Sequence, residues 1–135
     1  MSEENVELVK HWWAGFNEDG LPPFDLCDEQ IEIRMPADFP SQEVYRGHDG
    51  VRKWRADVFD PDLIDEVRVE VDDLIEAADG ETVVMAVRLL AHSKRLEAQY
   101  ELQWAAVWII REGKLVEAEG FLHMADALEA VGLRE

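Results

Sequence analysis

Cysteine is almost missing from this chain of 135 residues: Cys27 stands alone, so no internal disulfide can form. Lysine is nearly as scarce and occurs only at positions 10, 53, 94 and 114. Thirteen Lys and Arg face 31 Asp and Glu, a formal charge of −18. Such a field repels phosphate backbones and anionic lipid, so neither nucleic acid nor membrane is an expected partner. No apolar run approaches the roughly 20 residues that span a bilayer. The acidic start "MSEENVELVK" is the opposite of a signal or transit peptide, and a cytoplasmic address is the expectation. Metal-binding spacings are lacking too. The histidines at 11, 48, 92 and 123 form no His-x-His or His-x-x-x-His pair and have no cysteine partner, so no metal site is expected. Phosphate-cradling glycine motifs, a nucleophile elbow, repeats and linkers are also absent, and no cofactor is implied.

What is present suffices for one packed domain spanning residues 1–135. The chain is 47% hydrophobic, and a chain of this length buries roughly two thirds of its unfolded surface. "SEENVELVKHWWAGFNEDG" reads as a helix, capped by Ser2, with Val6, Val9, Trp13 and Phe16 on one face. A short helix through Leu26, a strand "IEIRM" and a Pro-rich loop over 36–47 follow. "HDGVRKWRADVF" predicts a second helix with Val51, Trp54 and Val58 or Phe59 inward, and Asp49 serves as its expected cap. From there the texture is β-branched or alternating. Four long strands are joined by the hairpin signals "ADGE" and "REGK", and a short helix "ADALEAVGLRE" closes the chain. The expected class is α+β, with N-terminal helices packed on a strongly curved antiparallel sheet.

Strand alternation sorts the side chains. In 98–108 the even positions (Ala98, Tyr100, Leu102, Trp104, Ala106, Trp108) are apolar, as are the odd positions Val83 to Ala91 in the preceding strand. In 114–124 the even set (Val116, Ala118, Gly120, Leu122, Met124) is assigned to the same helix-facing side. The opposite face carries Arg88, His92, Glu101 and Glu119, but also Val107, Ile109 and Phe121. A half-apolar face left uncovered predicts a homodimer.

The order of elements resembles the cone-shaped fold of the nuclear-transport-factor-2-like superfamily. The stretches "NVELVKHWWAGFNEDG", "VYRGHDGVRKW" and "VWIIREGKLVEAEGFLHMADALEAVGL" are similar to SnoaL-like domains within it. The superfamily holds ketosteroid isomerases, polyketide cyclases, dehydratases and small-ligand binders, so the fold alone does not choose a function. The isomerases' helix tyrosine falls on Trp12, their base on Met35 before Pro36, and their sheet acid near Ala105 or Ala106. None of these side chains can serve, and isomerase chemistry of that kind is not supported. The cyclases bring a His or Asp in from the last strands; His123 sits near that position, but alternation puts it outside or at the strand end.

The expected ligand is a small hydrophobic molecule in an apolar cavity lined by Trp12, Trp13, Phe16, Met35, Trp54, Tyr100, Trp104, Trp108 and Leu122, beside the small residues Ala106, Ala118 and Gly120. Activity, if the cavity supports it, is cofactor-independent acid–base chemistry: isomerisation, cyclisation, dehydration or hydrolysis. Asp38 on the loop after the first strand is the candidate base and Tyr45 the candidate donor. The alternative is a non-catalytic binding or dimerisation domain. Other residues read two ways. Asp38 is either a solvated loop acid or a half-buried base, and Glu32 with Arg34 is either a surface ion pair or a carboxylate clamp. Cys27, in "FDLCDEQ", is expected to be buried and to have a raised pKa beside its carboxylates.

Overall fold

The computed structural model describes residues 2–36, 39 and 43–132. Helix α1 (Ser2–Asp19) is followed by a single 3₁₀ turn (Phe24–Leu26), strand β1 (Cys27–Arg34), strand β2 (Val44–Arg46) and helix α2 (Gly47–Val58). Strands β3 (Ile64–Glu76), β4 (Thr82–Ser93), β5 (Ala98–Arg111) and β6 (Lys114–Phe121) come next, and helix α3 (Met124–Ala130) ends the fold. The strands form one six-stranded sheet in the order β2-β1-β6-β5-β4-β3. All pairs are antiparallel except β1 with β6, which run parallel. The expected α+β architecture is therefore observed, with a parallel pair and the short β2 added. β2 has only three residues inside a Pro-rich stretch, too few to show alternation.

Helix α1 buries Leu8, Val9, Trp12, Trp13 and Phe16, a stripe at three- and four-residue spacing that adds Leu8 and Trp12 to the predicted one, of which Val6 is only half-buried. It stops at Gly20, whose φ of +82° places it in the left-handed region while its N–H donates to the Phe16 carbonyl at 2.8 Å. Helix α2 buries Val51 and Trp54, with Phe59 fully enclosed just beyond its end. Arg55 fastens the ends of the two helices. Its Nε donates to the Gly20 carbonyl at 2.6 Å and its Nη1 to the Phe59 carbonyl at 2.7 Å. Asp49 does not cap α2. The helix starts earlier, at Gly47 with φ +72°, and Asp49 in its first turn pairs with Arg52 at 2.8 Å.

The sheet curls because its register slips: β3 has irregularities between Asp65 and Arg68 and between Val71 and Asp73, and β5–β6 has one at Ile109/Ile110. The last of these corrects the parity of β6. Ile109 pairs with Glu117 and Ile110 with Leu115, so Val116 is the extra residue and Leu115, not Val116, enters the main core. Beyond the bulge Ala118 regains the predicted side. Met124 does not join it, because it begins α3 and packs against a second, smaller core.

That second core changes the reading of the far face. Val84, Ala105 and Val107 are buried there by Ala127 and Leu128 of α3, with Ile109 and Phe121 packed alongside. Of the apolar residues that suggested a homodimer, Val107 is thus buried within one chain and Ile109 and Phe121 are half-covered. The rest of that face on β3–β5 carries ion pairs among its side chains: Arg88 holds Asp72 at 2.9 Å and Glu101 at 3.7 Å, and His92 meets Asp65 at 2.8 Å. Among the described residues no helix is long and apolar enough to cross a membrane.

Edge strand β3 is clipped to α1 by one side chain. Asn17 Nδ2 donates to the Val69 carbonyl at 2.8 Å, and the Val69 N–H donates to Asn17 Oδ1 at 2.8 Å. This amide replaces the ladder partner that an edge lacks. Asn17→Ala is expected to lower the unfolding free energy by about 1–3 kcal/mol, because both backbone groups lose their partner. A denaturant midpoint equal to that of the parent protein would show that the clip carries no stability.

Candidate functional site

The concave side of the sheet and the helices α1 and α2 enclose a cavity of about 150 Å³. Its floor is set by cross-strand rows. Met85, Ala106 and Gly120 stand side by side on β4, β5 and β6, and the next row runs Ile33, Ala118, Trp108 and Val83 across β1, β6, β5 and β4. Small side chains at Ala106 and Ala118 leave the middle of this floor unfilled. Gly120 is bare for a steric reason: a Cβ there would lie 3.3 Å from Pro36 Cδ and 3.6 Å from the Arg34 carbonyl oxygen. The chain leaving β1 therefore presses against β6 and brings Met35, Pro36 and Phe39 to the rim.

The walls are aromatic. Trp12 and Trp13 come down from α1, Trp54 from α2, and Trp104 and Trp108 rise from β5. Trp12 and Trp108 meet edge to face with centroids 5.3 Å apart at 83°, and Trp13 meets Trp104 likewise at 6.2 Å and 77°. Trp13 Nε1 donates to the Met85 sulfur at 3.3 Å, which fixes that indole against the floor. Tyr100, Leu102 and Leu122 line the open end and are 38%, 41% and 42% exposed, so they form its mouth.

Of the nine expected lining residues, eight face this space and one does not. Phe16 is 1% exposed and stands behind the wall, 5.4 Å from the Trp13 ring and 4.9 Å from Phe59. Its helical position, three residues after Trp13, looked equivalent, but its ring packs on Phe59 and Trp54 instead. Met85, Leu89, Val58 and Gln103 also line the cavity and were not foreseen as site residues. The signal for the first two was the apolar odd set of β4, which separates core from surface but not wall from interior.

The predicted acid–base groups are placed less favourably. Tyr45 is fully buried under α2, its hydroxyl donating to Asp57 Oδ2 at 2.8 Å, and it does not line the cavity. Strand β2, unforeseen in the sequence, turns that ring into the core. Asp38 lies outside the described residues. Arg34 borders the cavity but its guanidinium is held by Glu32 at 2.9 Å, and Arg46 takes the other carboxylate oxygen at 3.2 Å. The strand-surface ion pair is thus the reading observed. His123 is exposed at the start of α3, off the cavity. Cys27 is buried; desolvation, helped by Asp25 and Asp28 and opposed by Lys114, pushes its thiol up to about 11. Among the described residues no group of His, Cys, Asp and Glu could hold a metal ion. The ionisable side chains described around the cavity are those of Arg34 and Tyr100. The site can enclose an apolar body; the described residues supply no carboxylate or imidazole to it.

A family model described as a SnoaL-like domain matches residues 9–118. No curated protein matches the chain. Solved structures do. A nuclear-transport-factor-2-like protein of unknown function from Burkholderia pseudomallei superposes with a TM-score of 0.73 at 19% identity, covering 96% of this chain and 98% of that one. The epoxide hydrolase/cyclase-like enzyme SalBIII, with a role in pyran ring formation in the polyether salinomycin, gives 0.71 at 20% identity over 93% and 95% of the two chains. A protein of ketosteroid isomerase-like fold from Catenulispora acidiphila, in complex with trimethylamine, gives 0.68 at 18% identity over 94% and 93%. At these identities the likeness is one of fold.

Proposed function

The chain belongs to the SnoaL-like domain family, and we propose that its cavity binds one small, neutral, apolar organic molecule about the size of a single ring. The observation that carries this reading is the void itself: about 150 Å³ walled by Trp12, Trp13, Trp54, Trp104 and Trp108 over a floor of Ala106, Ala118 and Gly120. A dry apolar cavity of roughly this volume accepts a molecule such as benzene. Six to eight heavy atoms at roughly 0.9 kcal/mol each, well under the ceiling of about 1.5 kcal/mol per atom, give a Kd of order 10–100 µM. The solved relative in complex with trimethylamine is an instance of this fold with a small organic ligand. Titration with toluene and cyclohexane derivatives, followed by tryptophan fluorescence, is expected to show saturable quenching, and a four-ring steroid is expected not to bind. Absence of binding by every single-ring probe up to millimolar concentration would remove this reading.

A second reading, cofactor-independent acid–base catalysis, is favoured by the likeness of fold to an epoxide hydrolase/cyclase-like enzyme. Asp38 is the proposed base, since Pro36 two residues before it and Phe39 just after it border the cavity. Asp38→Asn is expected to reduce turnover of any substrate found by at least about a hundredfold. Turnover equal to that of the parent protein would exclude Asp38 from the chemistry.

A further inference from the structure

The lining of the cavity continues past its mouth. Strand β6 pairs with β5 only from Phe121 opposite Ala105 to Lys114 opposite Arg111, so among the described residues 98–104 of β5 have β4 alone beside them. Alternation puts Tyr100, Leu102 and Trp104 on one side of this stretch, and all three line the cavity. Trp104 belongs to the wall, whereas Leu102 and Tyr100 carry the apolar row outward into solvent. Leu122, just beyond β6, lines the same opening and is exposed too. Five large hydrophobic residues of the described chain are exposed, and three of them stand at this one opening. Single exposed apolar residues are ordinary, but a set that extends a cavity marks a surface that a ligand covers. At about 3.3 Å per residue the row from Trp104 to Tyr100 is about 13 Å long. It is one side chain wide, because its neighbours on β4, Leu89 and Ala91, are already buried.

We propose that this row is a rail for an unbranched apolar chain, and that the ring held in the cavity carries such a chain, about eight to ten carbons long. This rests on the binding role assigned to the cavity above and extends the ligand beyond its ring. A ring fills the enclosed space of about 150 Å³, so a substituent leaves through the mouth and lies along Leu102 and then Tyr100. A row one side chain wide covers a methylene chain along its length, but a fused ring system only by one edge. The chain is uncharged where it lies on the row, because the ionic side chains of this stretch, Glu101 with Arg88, belong to the opposite face. Its far end points toward the β4–β5 turn and open water, where a polar group is accommodated. With one side on protein and one in water, each methylene is expected to raise affinity about twofold, against about fourfold for full burial.

The probes are ω-phenylalkanols of increasing chain length, with toluene as the ring alone. Affinity is expected to rise about twofold per methylene and to level off beyond about eight to ten. Leu102→Ser, alone and with Tyr100→Ser, is expected to cost 8-phenyloctan-1-ol about 5- to 20-fold more than it costs toluene. In the wild-type protein, nuclear Overhauser contacts are expected between the bound chain's protons and the Leu102 methyl groups. That measurement needs no variant and decides the matter if either substitution prevents folding; their absence overturns the rail. Affinity that stays flat or falls with chain length, while toluene still binds, would overturn the rail and leave the ring pocket standing. Failure of toluene and of every phenylalkanol to bind would overturn both. If Leu102→Ser splits a dimer in sedimentation and leaves the chain-length dependence unchanged, the row is a contact between two copies and the rail is wrong.

Discussion

Replacing Ala106 by leucine is expected to abolish ligand binding, by at least about a hundredfold in Kd, while leaving the protein folded and no less stable. Ala106 is the centre of the floor, between Met85 on one side and Gly120 on the other. Three added carbons at that point project into the space of about 150 Å³ where a ring-sized ligand would lie. Cavity filling of this kind commonly adds about 0.5–2 kcal/mol of stability, whereas a residue forced into an already filled core costs about 1–3 kcal/mol. The two measurements together therefore diagnose the site. A raised denaturation midpoint with lost binding identifies the void as the ligand site. A lowered midpoint means that the void is smaller than its walls suggest. Undiminished affinity would put the ligand elsewhere on the molecule. Ala106→Val, with fewer added atoms, is expected to fall between parent and leucine on both scales.

The residues that make this cavity were visible in the sequence to different depths, and the reason is physical in each case. Alternation in β4 and β5 holds over long stretches without interruption, so the inward set that includes Met85, Trp104, Ala106 and Trp108 followed from parity alone. In β6 a single extra residue, Val116, reverses the alternation, and a period-two argument cannot detect a bulge it has no marker for. The three-residue β2 carries no period either. Its burial of Tyr45 depends on the partner strand β1 and on Asp57 twelve residues later, a contact that only the folded chain brings together. Phe16 was misplaced for a related reason. A helical stripe tells which side of α1 is buried but not what it is buried against, and the far end of that stripe meets Phe59 rather than open space. The small residues were the better guide: Ala106, Ala118 and Gly120 clustered among large indoles imply a volume deficit, and the deficit is the cavity.

Trp13→Ala is expected to be the most destabilising single substitution in the wall, at about 3–5 kcal/mol, measured as a fall in the denaturation midpoint at constant slope. Trp13 is 3% exposed and sits at the junction of the aromatic set. Its ring lies 6.5 Å from Trp12, 5.4 Å from Phe16, 6.2 Å from Trp54 and 6.2 Å from Trp104, and its N–H ends on the Met85 sulfur. Truncation removes the contact between α1 and α2 on one side and between α1 and the floor on the other, and joins the lost volume to the cavity. Against a usual total of 5–15 kcal/mol, a loss of that size leaves a protein close to its unfolding threshold at 37 °C. Trp13→Phe keeps most of the ring area but not the bond to sulfur, and a cost of about 1–2 kcal/mol is expected. The contrast with Ala106→Leu is what gives the pair its force. One substitution removes a wall and should cost stability first; the other removes the space and should cost binding first. A Trp13→Ala protein that loses less than about 1 kcal/mol would mean that the indoles are loosely packed and rearrange around a ligand, and the rigid, ring-sized volume assigned to the cavity would then be wrong.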